Sequence, residues 1–229
     1  MIERRRAPRS AAFFDLDRTL ISGSSAFVLG IAAWRGKLVP TRQFARDALS
    51  ALWFARAGAD DDTSIGVRDR ILGAVKDVRI DDLVALNTDI VPRLIDRVRP
   101  ESLRLIEQHR QAGRATYIVS ASPVELVEPL AQALGMTAGI GTRSRIVDGR
   151  YTGELEGPFC YAEGKVEAIT AIAQAEGFDL DRCWAYSDSA SDLPMLRAAG
   201  HPVAVNPDAR LAREAATEGR SEEHTSELQ

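Results

Sequence analysis

Apolar and polar positions follow two different rhythms along this chain. Residues 11–14 (Ala-Ala-Phe-Phe) are a short unbroken apolar run that stops at Asp15. That is the pattern of a strand buried on both faces. Helical spacing then takes over, with stretches predicted at Ser25 to Arg35, Thr41 to Ala57, Thr63 to Val75 and Asp81 to Asp96. Gly36, Pro40, Gly58 with Asp60, Asp61 and Asp62, and Arg79-Ile80 punctuate them.

From Pro100 the pattern alternates. Glu101 to Ala112 predicts a helix closed by Gly113, and Ala115 to Val119 an apolar strand. Ser122-Pro123-Val124-Glu125 reads as a capping box with proline in the first helical turn. Asp148-Gly149 between Ser144–Val147 and Arg150–Gly153 predicts a hairpin. Glu163 to Glu176 predicts a helix stopped by Gly177, Cys183 to Tyr186 a strand, and Ser189 to Ala199 a helix closed by Gly200. Val203 to Val205 is a last strand, with a weak helix after Asn206-Pro207-Asp208. Alternating strands and helices of these lengths imply an α/β fold, a parallel sheet wound on both faces as a three-layer α/β/α core. The helical block after the first strand forms a separate small layer. The expected division is a core of 11–22 plus 99–218 and a helical insert of 23–98. Residues 1–10 are expected to be a disordered arm. Residues 219–229 carry one apolar residue, resemble a translated sequencing adapter, and are expected to be a non-native tail.

Composition narrows the function more than the fold. The chain has 229 residues, is 45% hydrophobic and 27% charged, and carries a net charge of -4. Those values suit an ordinary globular protein and give no reason to expect nucleic acid as a partner. No apolar run reaches the ~18 residues of a membrane span, so no stable membrane insertion is expected. The arginine-bearing start lacks a secretory apolar core. The two cysteines, Cys160 and Cys183, have no metal-ligand spacing and read as reduced thiols of a cytoplasmic protein.

In a doubly wound sheet, ligands bind at the carboxyl ends of the strands. Four polar clusters fall there. Asp15-Leu16-Asp17-Arg18-Thr19 follows the first strand, and its two aspartates can project to one side. Like charges ~4 Å apart repel by roughly 1–4 kcal/mol, so something cationic should offset them. Ser120 ends a hydrophobic strand, where its hydroxyl can donate to a phosphate oxygen. Lys165 sits in the first turn of a helix, the end where the helix dipole disfavours a cation. Asp188 and Asp192 follow another strand, and hard oxygen donors suit Mg²⁺. Each cluster also has a plain structural explanation as a turn, a cap or a solvated charge. Their order along the chain is far more specific than any one of them.

Taken together, these residues resemble the haloacid dehalogenase superfamily of phosphohydrolases. Its Asp-x-Asp-x-Thr motif matches Asp15, Asp17 and Thr19; its strand-ending serine matches Ser120; its lysine matches Lys165; its paired acids match Asp188 and Asp192. The insert after the first motif resembles the C1-type cap. Tyr161–Lys165, Asp188–Leu196 and Val205–Asp208 are similar to the IB branch, which includes phosphoserine phosphatases. The resemblance implies a Rossmann-like core and a magnesium-dependent phosphomonoester hydrolase. Asp15 would be the nucleophile and Asp17 the acid and then base. Ser120, Thr19 and Lys165 would hold the phosphoryl group. Asp15, Asp17 (through its carbonyl), Asp188 and Asp192 would hold the Mg²⁺. Zinc is not expected, since no His or Cys falls in the clusters.

The substrate is expected to be a small phosphorylated metabolite. Phosphoserine phosphatases of the family carry a glutamate shortly after the first motif, whereas Ser22 to Ser25 contains no acid. Arg68 and Arg70 are candidates to meet a substrate carboxylate. Gly23 is a candidate hinge, and Phe27, Trp34, Trp53 and Phe54 belong either to helix packing or to a pocket lining. His109 and His201 fall outside the motifs. A phosphotransferase of the same fold and a non-catalytic phospho-ligand module are the alternative functions.

Overall fold

The computed structural model describes residues 10–38, 66, 68–69, 72–73, 75–218 and 222–223. The predicted helix at Thr41–Ala57, with Trp53 and Phe54, lies outside the described residues, as do Arg70 and nearly all of both termini. The described residues of 66–75 are helical.

The core is a parallel sheet, and its central strand explains its layering. Strand β1 (Ala11–Phe14) is flanked by β2 (Ala115–Pro123) and β6 (Trp184–Ser187), with Phe13 in register with Tyr117 and Ala185. Beyond them lie β3 (Ala138–Thr142) next to β2, β7 (His201–Val205) next to β6, and the two-residue β8 (Glu222–Glu223) next to β7. Successive strand residues face opposite ways. Ala12, Phe14 and Ile118 therefore enter one apolar cluster, and Ala11, Phe13, Tyr117 and Val119 the other. The first is covered by α1 (Ser25–Arg35), α3 (Asn87–Ile95), α4 (Pro100–Gln111) and α5 (Val124–Ala133). The second is covered by α6 (Glu163–Glu176), α7 (Leu193–Ala198) and α8 (Ala209–Glu218). Phe13, Phe14 and Ile118 are at most 1% exposed. Each such side chain contributes roughly 1.5–3 kcal/mol of burial, so the strand that carries Asp15 is among the best-anchored segments.

The segment between β1 and β2, the position expected for a cap, begins with α1 and includes α2 (Ile80–Ala85) and α3. Its entering and leaving strands run side by side: the Ser22 amide donates to Arg97 O at 2.8 Å, and the Arg99 amide to Leu20 O at 2.9 Å. Gly23, at φ +96, turns the chain into the cap. The hairpin of β4 (Ser144–Val147) and β5 (Arg150–Leu155) forms as predicted, with Asp148 and Gly149 both at positive φ. It reaches the cap through Asp77 N to Tyr151 O (2.9 Å), Tyr151 N to Val78 O (3.0 Å) and Ile80 N to Gly149 O (3.0 Å).

Several boundaries differ from the sequence pattern for identifiable reasons. The Asp81–Asp96 helix is two helices, broken at Leu86, and Asn87 Nδ2 there donates to Glu125 O at 2.6 Å. The pattern does not predict β3, because two of its five residues are glycine. A Cβ on Gly139 would run into the Val127 carbonyl of α5, so the strand needs the residue that weakens its signal. Ser122 is not a helix cap. Strand β2 runs on to Pro123, the helix starts at Val124 without a side-chain cap, and Ser122 Oγ instead lies 2.7 Å from Ser25 Oγ. Residues 190–192 form a 3-10 turn before α7, with Pro194 in its first turn. His109 is buried under the sheet, its Nε2 2.8 Å from the Tyr186 hydroxyl, and burial with Arg114 nearby pushes its pKa down to about 4. It braces the sheet as a neutral ring. Phe27 and Trp34 are 56% and 39% exposed on α1. Cys160 and Cys183 are buried free thiols. Among the described residues, no helix is long and apolar enough to cross a membrane.

Gly164 fixes the approach to α6. A Cβ there would collide with the Phe159 carbonyl, while Ala162 just before it holds φ +48. Gly164→Ala is expected to cost about 1–3 kcal/mol, read as a lower denaturant midpoint at unchanged slope. An unchanged midpoint would contradict this account of the turn.

Candidate active site

The ends of β1, β2 and β6 and the start of α6 bring the four clusters to one place. Asp15 follows β1, its amide bonded to Tyr186 O at 2.9 Å, so the backbone is still on the sheet's ladder where the side chain enters the site. The Lys165 ammonium sits between two carboxylates, 2.6 Å from Asp15 Oδ1 and 2.7 Å from Asp192 Oδ2. Asp192 Oδ2 also accepts the Ser187 hydroxyl at 2.7 Å. Lys165 is 3% exposed, Asp192 2% and Asp15 8%. An ammonium so buried persists only with both partners.

Asp188 sits on the second acidic turn. Its amide donates to Thr19 Oγ1 at 3.0 Å, and Thr19 Oγ1 lies 3.4 Å from Asp188 Oδ1, so the two loops hold each other. Arg18 Nε meets Asp188 Oδ2 at 2.9 Å from an exposed position at φ +62. Asp208 braces this loop from behind, accepting the Ala190 amide at 3.0 Å and the Leu211 amide at 2.8 Å, and donating its own amide to Asp188 O. Asp17 turns toward the cap, where its Oδ1 accepts the Ser25 amide at 2.7 Å. Ser120 Oγ accepts the Ser122 amide at 3.1 Å. All seven predicted residues thus belong to one neighbourhood of contiguous loops. Ser25, Ser102, Ser187 and Asp208 carry bonds that sequence reasoning did not assign. Ser187 and Arg18 lay inside clusters already singled out, whereas Ser25 and Ser102, which donates to Thr19 O at 3.1 Å, gave no local signal. Of the arginines proposed for a substrate carboxylate, Arg68 pairs with Asp69 at 2.9 Å.

The electrostatics follow from crowding. Burial pushes the Asp15 carboxyl up to about 7; Lys165 works against that, and Asp192 and Asp17 add to it. Burial raises Asp17 too, opposed by its bonds to Ser25. Asp188 is raised to about 6, again chiefly by burial, with Arg18 opposing and Asp192 and Asp208 adding. Burial disfavours the Lys165 ammonium, but the charges of Asp15 and Asp192 outweigh it and hold the lysine protonated. Four carboxylates face two cations, and burial raises Asp15, Asp17 and Asp188, so the site has room for further positive charge. Among the described residues, no three acidic, histidine or cysteine side chains are gathered as a ready coordination shell. Arg18 and Lys165 stand on the carboxylates instead.

The chain is similar to several known proteins. Residues 12–197 match the family of haloacid dehalogenase-like hydrolases. The chain is 40% identical over 220 residues to the "Inhibition of morphological differentiation protein" of Streptomyces azureus, covering 95% of this chain and 79% of that protein. It is 38% identical over 208 residues to "Phosphoserine phosphatase SerB1" of Mycobacterium tuberculosis, covering 88% of this chain and 66% of that protein. A solved structure described as a phospho-aspartyl intermediate analogue of phosphoserine phosphatase shares the fold at a TM-score of 0.66 and 21% identity, covering 93% of this chain and 92% of that one.

A carboxylate with a raised pKa loses stability for the fold as it ionises. For Asp188 that cost is absent below the unfolded value of about 4, grows as pH rises, and is complete above about 6. Asp188→Asn is therefore expected to raise the melting temperature of cation-free protein at pH 8 by about 3–6 °C, or roughly 1–2 kcal/mol. The gap should close at pH 4. Equal melting temperatures at pH 8 would contradict the raised Asp188 value, which already includes the opposing charge of Arg18.

Proposed function

The chain belongs to the haloacid dehalogenase-like hydrolase family, and from that premise we propose that it hydrolyses small phosphate monoesters through a phosphorylated Asp15. The observation that carries this reading is the Lys165 ammonium clamped between Asp15 and Asp192, with Asp17 two residues away. A carboxylate cannot approach a phosphate dianion without positive charge beside it, and Lys165 supplies that charge at the nucleophile itself. Asp192 and Ser187 orient the lysine. Asp15 attacks phosphorus through a carboxylate oxygen, and the phosphorus–oxygen bond to the alcohol breaks. The leaving oxygen takes its proton from Asp17, whose burial favours the protonated form that this step needs. Asp17 then takes a proton from water. That oxygen attacks the acyl-phosphate, releasing phosphate and restoring Asp15. Ser120 and Thr19 hold the phosphoryl oxygens and the nucleophile loop.

The donor set also fits a hard divalent cation. Asp15, Asp188 and the carbonyl of Asp17 are oxygen donors with surplus negative charge, and Arg18 already stands in for positive charge on Asp188. We assign Mg²⁺ to these groups, with Asp192 behind them; when bound, it would neutralise charge on the phosphoryl oxygens. The substrate is read as a small phosphorylated metabolite. Phosphoserine heads the candidates, as the name of the M. tuberculosis relative suggests. Its ammonium would need a carboxylate outside Ser22–Ser25, where no acid stands and the Ser25 hydroxyl lies against Ser122.

Phosphate release from p-nitrophenyl phosphate with Mg²⁺ tests the reading. Asp15→Asn and EDTA treatment are each expected to lower turnover on the order of a thousandfold or more. Turnover that survives Asp15→Asn would refute the nucleophile. Turnover that survives EDTA would refute the cation.

A further inference from the structure

The chain carries a net charge of -4, yet positive charge gathers at one place away from the motifs. A cleft of about 350 Å³ opens between the turn after α1, the segment leading into α2 and the start of β5. Lys37, Lys76, Arg79 and Arg150 line it against only two carboxylates, Asp77 and Asp82, an excess of two positive charges. Like charges lining one cleft repel one another, so the fold alone gains nothing from this arrangement.

The cations are held in place but not neutralised. Among the described residues, no salt bridge joins Lys37 or Lys76 to a carboxylate. The stem of Lys76 lies against Gly153 of β5, where a Cβ would come within 3.3 Å of it. A stem packed in this way keeps its ammonium in water and loses less freedom when an anion arrives. Arg79 gives one nitrogen to Asp81 at 3.2 Å, and Arg150 gives one to the Asp77 carbonyl at 2.7 Å. Each guanidinium has five N–H donors, so both forks are oriented and both keep donors for a further acceptor. The walls are cross-linked through the Asp77 amide on Tyr151 O and the Ile80 amide on Gly149 O. Lys37 and Asp77 hold φ values of +60 and +65, which cost a non-glycine residue about 1–2 kcal/mol each. The cleft is also separate from the carboxylate site. Lys37 follows the far end of α1, whose first residue, Ser25, bonds Asp17. That helix has 11 residues and so spans roughly 16 Å.

We propose that this cleft is a second ligand site, taking a small polyanion of the diphosphate kind. Its volume falls within the range of small-molecule sites, roughly 300–1,000 Å³. Two arginine forks and two ammonium groups, drawn from three parts of the chain, suit a ligand with more than one negative group. The bound anion joins β5 to the end of α1 and the segment before α2. The inference makes no use of Asp15 and stands apart from the phosphatase reading.

Thermal unfolding with pyrophosphate tests it, in EDTA so that metal-dependent turnover is absent. With pyrophosphate at about 100 times its Kd, wild type is expected to melt about 5–10 °C higher than in sodium chloride of equal ionic strength. Lys37→Glu with Lys76→Glu is expected to lose most of that shift. Pyrophosphate held at the Asp15 site contributes equally to both proteins, so the difference reports the cleft alone. Lys76→Gln serves in place of the double variant if that does not fold, and is expected to raise the Kd about tenfold. An equal shift in wild type and variant, or one that sodium chloride reproduces, would overturn the second site. Either result leaves the phosphatase reading to its own test with Asp15→Asn.

Discussion

A buried ammonium between two carboxylates sets the terms for the rest of this molecule. Taking Lys165, Asp15 and Asp192 out of water costs several kcal/mol per ion, and short, well-aligned contacts must return it. They arise only if β1, the start of α6 and the turn after β6 hold fixed relative positions. The sheet supplies the first and last, through the Asp15 amide on Tyr186 O and the Phe14–Tyr186 ring stack at 4.5 Å. Gly164, pressed against the Phe159 carbonyl, supplies the second. The apolar clusters on both faces of the sheet are what make that precision affordable.

The same clamp leaves the site electrically incomplete. Lys165 answers Asp15 and Asp192, and Arg18 answers Asp188, whereas Asp17 is bonded by the neutral donors of Ser25 and feels Lys165 and Arg18 more weakly than its burial. The raised values of Asp15, Asp17 and Asp188 express one fact three times: the fold holds more negative charge at this edge than its own cations balance. A stable fold gains nothing from that excess. It suits the proposed function, in which the site accepts a cation and a phosphoryl group and Asp17 acts in its protonated form.

The sequence showed the core well because its signals are local. An apolar run ending in Asp15, a Gly177 stop, and Asp148-Gly149 each report a backbone requirement met by the residues themselves. The order of the motifs then located Asp15, Lys165, Asp188 and Asp192 at one edge. Where a residue serves a distant neighbour, the local signal misled. Ser122 looks like a helix cap because Pro123 and Glu125 follow it, but its hydroxyl meets Ser25, 97 positions earlier. Strand β3 hides behind glycines kept for the approach of α5. Ser25 has no pattern at all, since a serine at a helix start is ordinary.

That blind spot bears on substrate choice. Family likeness directs attention to the acid that should follow the first motif, and finds serines. In the fold, Ser25 is buried with its amide on Asp17 and its hydroxyl against Ser122, so the stretch offers a substrate ammonium no carboxylate. Recognition must then come from other surfaces facing the site: the cap, or the start of α5. There Glu125 lies beside the buried Tyr151 and adds to the burial that raises the pKa of its hydroxyl. The nucleophile end of the site is fixed by the buried clamp, so divergence among relatives of this fold is free to act at the cap end without disturbing the chemistry.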